Sequence, residues 1–352
     1  MTNEQHREPG APPANTPPGS AATAPRPSRW RRGLAAATIL YCLAIALLWI
    51  WMRSEGDRSW LATLFLFGPR WICALPLVLL VPLAVIWHRR LLLLLLISGM
   101  LILGPIMGLK VHFSDSTTPM SLRVLTCNVD QGVFRVGALA ELIDRTQPDI
   151  VALQEVKQVP PLVWPKGWHV VFIDELLVAS RHPIVEQGSV PRETVPGKLV
   201  GIRYLIKLPS RDVQFFNLHL VTPRPGLEAV LDSKRGLDLS GIPQLDAILQ
   251  VRTEESWLTS AWVANFPGPK IVAGDFNMPA DSGIYRDTWS FLRNAFASTG
   301  FGFGFTKLTE QKGWTYGARI DHILYSPPWQ CVRAWVGPDI GSDHLPMLAD
   351  FE

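Results

Sequence analysis

The sequence has few cysteines and no internal repeat, and each absence argues against a class of protein. Four cysteines occur in 352 residues, and Cys42 and Cys73 fall within long apolar runs. Cys127 and Cys331 remain as a single pair without a spacing signature, which argues against a disulfide-stabilised scaffold. Cys127 lies in an alternating strand pattern and is expected to pack as a small hydrophobic residue, although a bond to Cys331 stays open. No sequence word recurs at a fixed interval, so a repeat architecture is not indicated.

The chain also lacks a basic excess where its largest domain is expected. Residues 110–352 hold 23 Lys and Arg against 26 Asp and Glu, whereas residues 1–109 hold ten against four. A domain that grips duplex nucleic acid without specificity is normally strongly basic, because contacts to the phosphates dominate its affinity. The composition therefore argues against tight, unspecific duplex binding, while a local basic groove stays open.

The first third of the sequence divides into a polar tail and three long apolar runs. Residues 1–28 are rich in Pro, Ala, Ser, Thr and Gly, and we expect a disordered cytoplasmic tail because they cannot bury enough apolar surface. The runs at 34–52, 61–87 and 91–109 each reach the length of a membrane-spanning helix, and tryptophans lie near their ends. We therefore expect a three-helix transmembrane anchor over 29–110 in a lipid bilayer. Buried helices of a soluble protein are the less favoured alternative.

Basic residues around these runs predict their orientation. Four arginines precede the first run and His88-Arg89-Arg90 separate the second from the third, whereas Glu55 and Asp57 offset the arginines of the first connecting loop. Short loops rich in Lys and Arg stay in the cytoplasm. Three crossings then place the rest of the chain outside. We expect a multi-pass protein of the plasma (inner) membrane with its large C-terminal domain outside the cytoplasm.

After a linker at 111–120, the remaining residues alternate between strand and helix patterns. An amphipathic helix is predicted over 136–146, and further helices are predicted over 244–265 and 288–297. Strands are predicted at 121–129, 149–153, 169–173, 176–180, 199–208, 213–220, 270–273, 320–325, 331–336 and 347–351. Adjacent strand pairs separated by helices favour a two-layer sheet sandwich flanked by helices.

Polar residues close several of these apolar strands, where a fold can gather side chains from distant positions. Glu155 directly follows a strand and is interpreted either as a metal ligand or as a surface cap. Asn128 ends another apolar run, although Asn is disfavoured in strands. Its amide can coordinate a hard cation or hold an oxyanion, and a turn former before Asp130 is the alternative.

Two further motifs close strands in the middle of the domain. His219 lies on an apolar strand, where a hydrogen-bonded core histidine is more common than a catalytic one. The GDFN sequence at 274–277 is more specific, because Gly274 permits a close turn and Asp275 and Asn277 face one side if the strand continues. Asp275 can accept a proton from water and Asn277 can bind a phosphoryl oxygen. A surface Asx turn is the alternative.

The last polar motifs of the chain contribute two acids and a histidine to the candidate site. Asp321 follows one apolar run, and Asp343 and His344 stand together near the C-terminus. A carboxylate that accepts a hydrogen bond from a histidine fixes its tautomer and raises its basicity. Asp343 can then serve a cation. His322 points to the opposite face of its strand from Asp321 and is expected to be structural.

In chain order these words read LTCNV, LQEV, NLHL, GDFN, RIDHIL and GSDHLP. The series resembles the endonuclease/exonuclease/phosphatase superfamily (DNase I-like), and the N-terminal runs resemble those of a membrane-anchored bacterial subgroup. The resemblance covers 121–352. It implies a four-layer α/β sandwich preceded by three transmembrane helices, and a catalytic domain that hydrolyses phosphoesters with Mg²⁺ or, in its place, Mn²⁺.

The resemblance also implies which residues bind the metal and the substrate. Asn128 and Glu155 resemble the metal-site residues of the family, and Asp343 resembles an additional metal-site acid. His219 resembles a histidine that contacts the phosphate or protonates the leaving group. Arg181, in the stretch LVASRHP, resembles a residue that steadies the site and would assist substrate binding.

Catalytic roles follow from the same resemblance. Asp275 and Asn277 resemble the pair that orients the attacking water and binds phosphate. Asp321 resembles the acid that pairs with the final histidine, here His344.

Two features of nuclease members of the superfamily have no counterpart in this sequence. A tyrosine used from the middle of the chain has no clear equivalent, and the basic loops and helix of abasic-site nucleases are not evident. The sequence predicts a phosphodiester substrate and nuclease-type hydrolysis. A phospholipid head group or a small phosphoester is the alternative, and a non-catalytic membrane-tethered binding module is a third. No protein partner is indicated.

Overall fold

The structure is a computed structural model that describes residues 29–113, 120–160, 164–232, 236–311 and 313–352. The predicted tail and most of the predicted linker lie outside these residues. The N-terminal part contains helices α1 Arg29–Glu55, α2 Trp60–Phe67, α3 Leu75–Trp87 and α4 Leu92–Leu101. A 3-10 turn precedes α3 (Arg70–Ala74) and another precedes α4 (Arg89–Leu91), and a π turn (Ile102–Ile106) continues α4.

Three helical stretches in this part are long and apolar enough to cross a membrane. They are Arg29–Glu55, Arg70–Trp87 and Arg89–Ile106, in agreement with the three predicted runs. Large apolar side chains project outward from them, among them Leu40 at 67% exposure and Val78 at 75%. Helices with apolar residues on every side are stable only in apolar surroundings.

The remaining described residues form strands and five further helices. In chain order the strands are β1 Lys110–Val111, β2 Leu122–Asn128, β3 Ile150–Gln154, β4 His169–Ile173, β5 Leu176–Ser180, β6 Ile184–Pro191, β7 Leu199–Lys207, β8 Asp212–His219, β9 Leu231–Asp232, β10 Gly236–Leu237, β11 Lys270–Asp275, β12 Arg293–Asn294, β13 Phe301–Gly302, β14 Lys307–Gln311, β15 Trp314–Ala318, β16 Asp321–Tyr325, β17 Cys331–Val336 and β18 Met347–Phe351. The helices are α5 Val136–Thr146, α6 Arg224–Val230, α7 Ile242–Ala264, α8 Gly283–Trp289 and α9 Ala295–Thr299.

Two six-stranded sheets lie at the centre of residues 121–352, which we call the sandwich domain. The first sheet has the strand order β17-β18-β2-β3-β5-β4, and the second has the order β12-β16-β11-β8-β7-β6. The pairs β2–β3 and β8–β11 are parallel, and the other neighbours within these two sheets are antiparallel. Each parallel pair brings two carboxyl strand ends to the same edge of its sheet.

The two sheets pack face to face around the main core. Apolar side chains of β2, β3 and β5 contact those of β7, β8 and β11 in one buried cluster. A second cluster joins the outer face of the first sheet to α5. A third joins the outer face of the second sheet to α7 and α8. The order of layers is helix, sheet, sheet, helix, so the expected four-layer α/β sandwich is confirmed.

Most predicted elements are found, but the predicted helix over 288–297 is wrong. It is replaced by α8 and α9, which the short strand β12 separates. Asn294 breaks the helix because its side chain accepts a hydrogen bond from the amide of Ala297 and caps α9. The strand β6 and the hairpin of β14 and β15 were not predicted. Cys127 and Cys331 are both free, and they lie in different clusters, so a disulfide between them is excluded.

The N-terminal helices contact the sandwich domain through the segment that links α1 to α2. We call residues 56–59 the connecting segment. Its Arg58 pairs with Asp287, and Arg70, at the start of the second apolar stretch, pairs with Asp281. The C-terminal end of α1 therefore lies on the same side as the sandwich domain, and the turn at Arg89–Leu91 lies at the far end of the helices.

Candidate active site

Polar side chains from both sheets converge at one edge of the sandwich. Asn128 ends β2 and Glu155 directly follows β3, whereas His219 and Asp275 end the parallel strands β8 and β11. Asp321 begins β16, which runs antiparallel to β11 and pairs its first residue with Asp275. The directions of these strands bring together residues separated by more than a hundred positions in the sequence.

Asn128 joins the two sheets at this edge. Its amide nitrogen donates to Glu155 Oε1 at 2.8 Å and to Asp275 Oδ2 at 3.0 Å. Its amide oxygen accepts from the amide of Asp130 at 2.9 Å. Asn128 is buried at 1% exposure. The amide thus holds two carboxylates of different sheets beside each other.

Asp275 and Asn277 form a tight turn after β11. The amide of Asn277 donates to Asp275 Oδ1 at 2.8 Å, and its side-chain nitrogen donates to the carbonyl of Leu220 at 2.8 Å. Gly274 is required here, because a Cβ at this position would lie 1.9 Å from the carbonyl oxygen of Leu218. The turn therefore depends on the glycine of the GDFN motif. Burial raises the pKa of Asp275, and the charge of Asp321 adds to this effect.

Asp321 and His344 form a buried acid–histidine pair. Nδ1 of His344 lies 2.8 Å from Asp321 Oδ2, and its Nε2 lies 3.8 Å from Asp275 Oδ2. Burial opposes the charged imidazolium, but the carboxylates of Asp321 and Asp275 outweigh it and raise the pKa of His344 to about 9. The imidazole is therefore protonated at neutral pH and directs a positive edge toward Asp275. Thr306 Oγ1 accepts from the amide of Asp321 at 3.1 Å and fixes the start of β16.

His219 lies on the other side of the same carboxylates. Its Nε2 is 3.5 Å from Glu155 Oε1 and 3.9 Å from Asp275 Oδ2. Arg192 donates to its carbonyl oxygen at 2.5 Å. Burial lowers the pKa of His219 and therefore favours its neutral ring.

Asp343 lies at the rim of the site, beside His344. Its Oδ1 is 3.8 Å from His344 Nε2, whereas its Oδ2 pairs with Arg224 at 3.3 Å and with Lys307. Burial favours the neutral acid, but the hydrogen bond from Lys307 outweighs it and lowers the pKa of Asp343. These two cations give the site entrance a local positive charge that the composition of the domain does not reveal.

Arg181 is not brought to this site, which corrects the expectation that it steadies the substrate. It follows β5, and β5 runs antiparallel to β3, so that Ser180 pairs with Ile150 at the beginning of β3. Glu155 lies beyond the other end of β3. Arg181 instead donates to Gln147 at 2.5 Å.

His322 is structural, as predicted. Its Nε2 lies 2.8 Å from the carbonyl oxygen of Met278, and its Nδ1 lies 3.1 Å from the side-chain nitrogen of Asn294. Both ring nitrogens are therefore bonded away from the site. Burial lowers the pKa of His322 to about 4, and the charge of Arg319 adds to this effect. The ring is neutral in the folded protein.

The donor atoms at this edge suit a hard divalent cation. Carboxylate oxygens are ligands that Mg²⁺ prefers. The amide nitrogen of Asn128 holds those of Glu155 and Asp275 beside each other, while its amide oxygen accepts from the amide of Asp130. The ligand atoms of Asp275, Asp321 and His344 also lie within 4.8 Å of one another, but Asp321 and His344 already bond each other. The carboxylates around Asn128 therefore fit such a cation better.

Sequence reasoning missed several cations that support the site. Arg224 and Lys307 contact Asp343, and Arg192 contacts His219. Arg252 lies on the buried face of α7, where Leu245, Leu249 and Arg252 recur at helical spacing. A charged residue on an otherwise inward-facing stripe was the one available signal, and it points to a buried ion pair.

Comparisons with known proteins agree with this geometry. Residues 125–344 match the Endonuclease/Exonuclease/phosphatase family. A humanized TDP2 from D. rerio with 14 mutations aligns with a TM-score of 0.51 and 16% identity, over 66% of this chain and 98% of that chain. D. rerio TDP2 complexed with a single-strand DNA product aligns with a TM-score of 0.50 and 14% identity, over the same shares.

A third similar structure is that of a sugar phosphatase. A mannosyl-6-phosphatase from Bacteroides thetaiotaomicron VPI-5482 aligns with a TM-score of 0.50 and 17% identity, over 66% of this chain and 100% of that chain. No curated protein matches the sequence. At these identities the likenesses show the fold alone, and that fold is DNase I-like.

Proposed function

The chain belongs to the endonuclease/exonuclease/phosphatase family, and on that premise we propose that it is a membrane-anchored, divalent-metal-dependent phosphoesterase that hydrolyses phosphodiester bonds. One observation carries the proposal. Asp275 lies between the Asn128–Glu155 pair, its own Asn277 turn and the protonated His344. A carboxylate, two amide side chains and a buried imidazole thus converge on one point, as in-line attack by water on phosphorus would require.

Asp275 is the proposed general base. Its raised pKa brings the carboxylate closer to neutral pH, where a base of this kind is most effective. The backbone amide of Asn277 donates to Asp275 Oδ1 at 2.8 Å, and Oδ2 accepts from the side-chain nitrogens of Asn128 at 3.0 Å and of Asn277 at 3.2 Å. Asn277 would bind a phosphoryl oxygen and orient the attacking water.

His344 and His219 are the side chains proposed to stabilise the negative charge that develops on the phosphoryl oxygens and the leaving oxygen. His344, held by Asp321, would donate a hydrogen bond to the phosphoryl oxygens, and His219 would protonate or contact the leaving oxygen. Acid–base assistance of this kind contributes about 10²–10⁴ in rate. A Mg²⁺ or Mn²⁺ ion held by Glu155, with Asn128 and Asp343 beside it, would supply Lewis-acid neutralisation of the phosphoryl charge.

We propose nuclease-type cleavage as the first candidate for the substrate. Arg224 and Lys307, which pair with Asp343 at the rim of the site, would contact the phosphates of a nucleic-acid backbone. One structural neighbour is complexed with a single-strand DNA product. A phospholipid head group or small phosphoester is the second candidate, because the anchor would keep the site near a bilayer. The acids and histidines retained at the site argue against a non-catalytic binding module.

The test is hydrolysis by the full chain in detergent micelles. Plasmid DNA, RNA, sphingomyelin and bis(p-nitrophenyl) phosphate are offered with Mg²⁺ and then with a chelator. Asp275→Ala and His344→Ala, which should still fold, serve as matched controls. We expect metal-dependent turnover that both variants abolish. Near-normal turnover in either variant, or no turnover with any substrate, would overturn the proposal.

We also propose that the sandwich domain lies outside the cytoplasm of the inner membrane. The parity of the three apolar stretches and the arginines at 89 and 90 support this orientation. A phosphatase reporter that is active only after export, fused after Glu352, should be active. Activity of a cytoplasm-only reporter at the same position would contradict the orientation.

A further inference from the structure

α7 carries a buried cation on the side that faces the candidate active site. Arg252 is 1% exposed. Its Nη1 donates to the carbonyl of Val221 at 2.6 Å, and its Nη2 donates to the carbonyl of Asn277 at 2.9 Å. These carbonyls belong to the turns that follow β8 and β11. One guanidinium therefore joins the backbone just beyond His219 to the backbone just beyond Asp275.

The same two turns are bonded directly to each other. The amide of Leu220 donates to the carbonyl of Asp275 at 2.9 Å, and the side chain of Asn277 donates back to the carbonyl of Leu220 at 2.8 Å. Arg252 adds its two hydrogen bonds to this network from the side of α7. The network sets the separation between the His219 and Asp275 side chains, on which the proposed chemistry depends.

The charge of Arg252 requires an anion in the interior. Two neutral carbonyls do not neutralise a buried guanidinium, and a buried charge without a partner strongly destabilises the fold. Asp57 is the partner: its Oδ2 lies 3.5 Å from Arg252 Nη2, and it is 0% exposed. Burial lowers the pKa of Arg252, and Asp57 opposes this most strongly. The nearby Glu255 is already bonded to Arg192 and to the amide of Val221.

Asp57 does not belong to the sandwich domain. It lies in the connecting segment, between the first apolar stretch and α2. Its Oδ1 accepts from Ser282 Oγ at 2.8 Å and from the amide of Ile284 at 3.1 Å. Ser282 Oγ in turn accepts from the amide of Tyr285 at 3.0 Å and caps α8. The carboxylate is therefore surrounded by donors from the sandwich domain.

The backbones of the two parts also approach closely beside Asp57. Gly56 has a φ of +57°, and a Cβ on it would lie 2.2 Å from the amide nitrogen of Gly283. A Cβ on Gly283 would lie 3.0 Å from the carbonyl oxygen of Glu55. A side chain on Gly56 would therefore collide with the backbone at Gly283, and one on Gly283 would be tightly packed. Asp57 thus inserts beside a close backbone contact between the N-terminal helices and α8.

We propose that Asp57 is a positioning residue of the phosphoesterase: the membrane anchor supplies the counter-charge that holds Arg252, and through it the turns that carry His219, Asp275 and Asn277. This inference rests on the proposed function. Without the carboxylate, the guanidinium must leave the interior or admit water, and either change releases the carbonyls of Val221 and Asn277. The anchor then contributes to the reaction itself as well as to location.

The test compares Asp57→Asn with a matched surface control in the full chain in detergent. Asp57→Asn keeps the shape of the side chain and removes its charge. Asp287→Asn makes the same change on the same side of α8, where Asp287 pairs with Arg58 and is 43% exposed. With bis(p-nitrophenyl) phosphate and Mg²⁺, we expect Asp57→Asn to lower kcat about 10- to 100-fold with little change in KM. The control should stay within about twofold.

A second measurement is independent of activity. Hydrogen–deuterium exchange should rise in peptides that cover 217–224 and 274–280 in Asp57→Asn, and should not change there in Asp287→Asn. If Asp57→Asn does not fold, Arg252→Lys carries the test, because one ammonium group cannot hold both carbonyls as the planar guanidinium does. We expect the same loss of kcat and the same rise in exchange.

The outcomes separate the two proposals. A folded Asp57→Asn or Arg252→Lys chain with unchanged exchange in both peptides, and with wild-type kcat where the wild type is active, overturns the positioning role. If the wild-type chain hydrolyses none of the phosphoesters, the proposed function fails. The exchange measurement then still decides whether Asp57 orders the two turns.

Discussion

We expect Asp321→Asn to move the basic side of the pH–rate profile downward by about two pH units or more. Asp321 Oδ2 lies 2.8 Å from His344 Nδ1. Burial opposes the imidazolium, but Asp321 and Asp275 outweigh it and raise the pKa of His344 to about 9. Asn at position 321 keeps a hydrogen-bond acceptor and removes one of these charges. Burial then opposes the imidazolium more effectively, and the pKa of His344 falls from its raised value.

The magnitude follows from the size of this shift. A rise from 6.5 to about 9 corresponds to about 3 kcal/mol in favour of the protonated imidazole. Near pH 7.5 the variant should therefore hold a neutral ring where the wild type holds a cation. Loss of one preorganised charge at a phosphoryl transition state lowers kcat by about 10²–10³. Because the folded pKa is raised, His344 also stabilises the fold below about pH 6.5, and this contribution is lost as the pH rises through about 9.

The assay is kcat of the full chain across the pH range in which His344 titrates, with bis(p-nitrophenyl) phosphate and saturating Mg²⁺. As the pH rises, wild-type activity should fall near pH 9, and activity of Asp321→Asn should fall about two pH units lower. Thermal unfolding in the presence of a chelator, measured across the same pH range, gives the pH dependence of stability. The wild type should lose stability between these pH values, and the variant should not.

Asp350→Asn is the matched control. Asp350 is buried at 4% exposure and pairs with Arg123 at 2.6 Å, on β18 but away from the site. Its replacement should destabilise the fold and leave the basic side of the profile near pH 9. The reasoning is refuted if Asp321→Asn keeps that position of the profile, or if Asp350→Asn moves it equally.

Three further outcomes are expected. Glu155→Gln should raise the Mg²⁺ concentration for half-maximal activity by about 10- to 100-fold, because it removes an anionic ligand beside Asn128; an unchanged metal titration would contradict the assignment. His322→Gln should reduce the loss of stability at acidic pH. Because the pKa of His322 is lowered to about 4, the free energy of unfolding of the wild type falls by about 3 kcal/mol as the pH falls from about 6.5 to 4. Chemical unfolding at both pH values measures the difference. Arg181→Ala should leave kcat and KM within about twofold, because the side chain lies at the opposite end of β3 from Glu155; a large rise in KM would return Arg181 to the site.

The sequence predicted the site well where a residue ends an apolar strand. Asn128, Glu155 and Asp275 each close such a run, and parallel neighbours bring their ends to one edge. The prediction required only the position of each strand end and the direction of its neighbour. Asp321 came to the same edge because its strand begins there.

Arg181 shows where the same reasoning fails. It also follows an apolar strand, but β5 is antiparallel to β3, and the apolar pattern of a buried strand is the same in both directions. The break between α8 and α9 was missed because the cap at Asn294 depends on the pairing of β12 with β16, which is a long-range contact.

The Asp57–Arg252 pair could not be predicted from either segment alone. In the sequence, Asp57 is one acid in a short loop, and its charge offsets that of nearby arginines. That charge balance predicts only the orientation of the helices. In the sequence, Arg252 is one charge on a long predicted helix. The two are almost two hundred positions apart, and the boundary expected at 111–120 separates them. Only the packing of the connecting segment against α8 reveals the pair.

Under the proposed membrane topology, the pair also makes completion of the fold depend on correct insertion. Asp57 and Arg252 can meet only if the connecting segment and α7 emerge in the same compartment, which requires an even number of crossings between them. A chain in which only one of the two later helices inserts would hold the acid and the guanidinium on opposite sides of the bilayer, each without its partner. Such a wrongly threaded copy would lack the internal ion pair that joins the two parts of the fold.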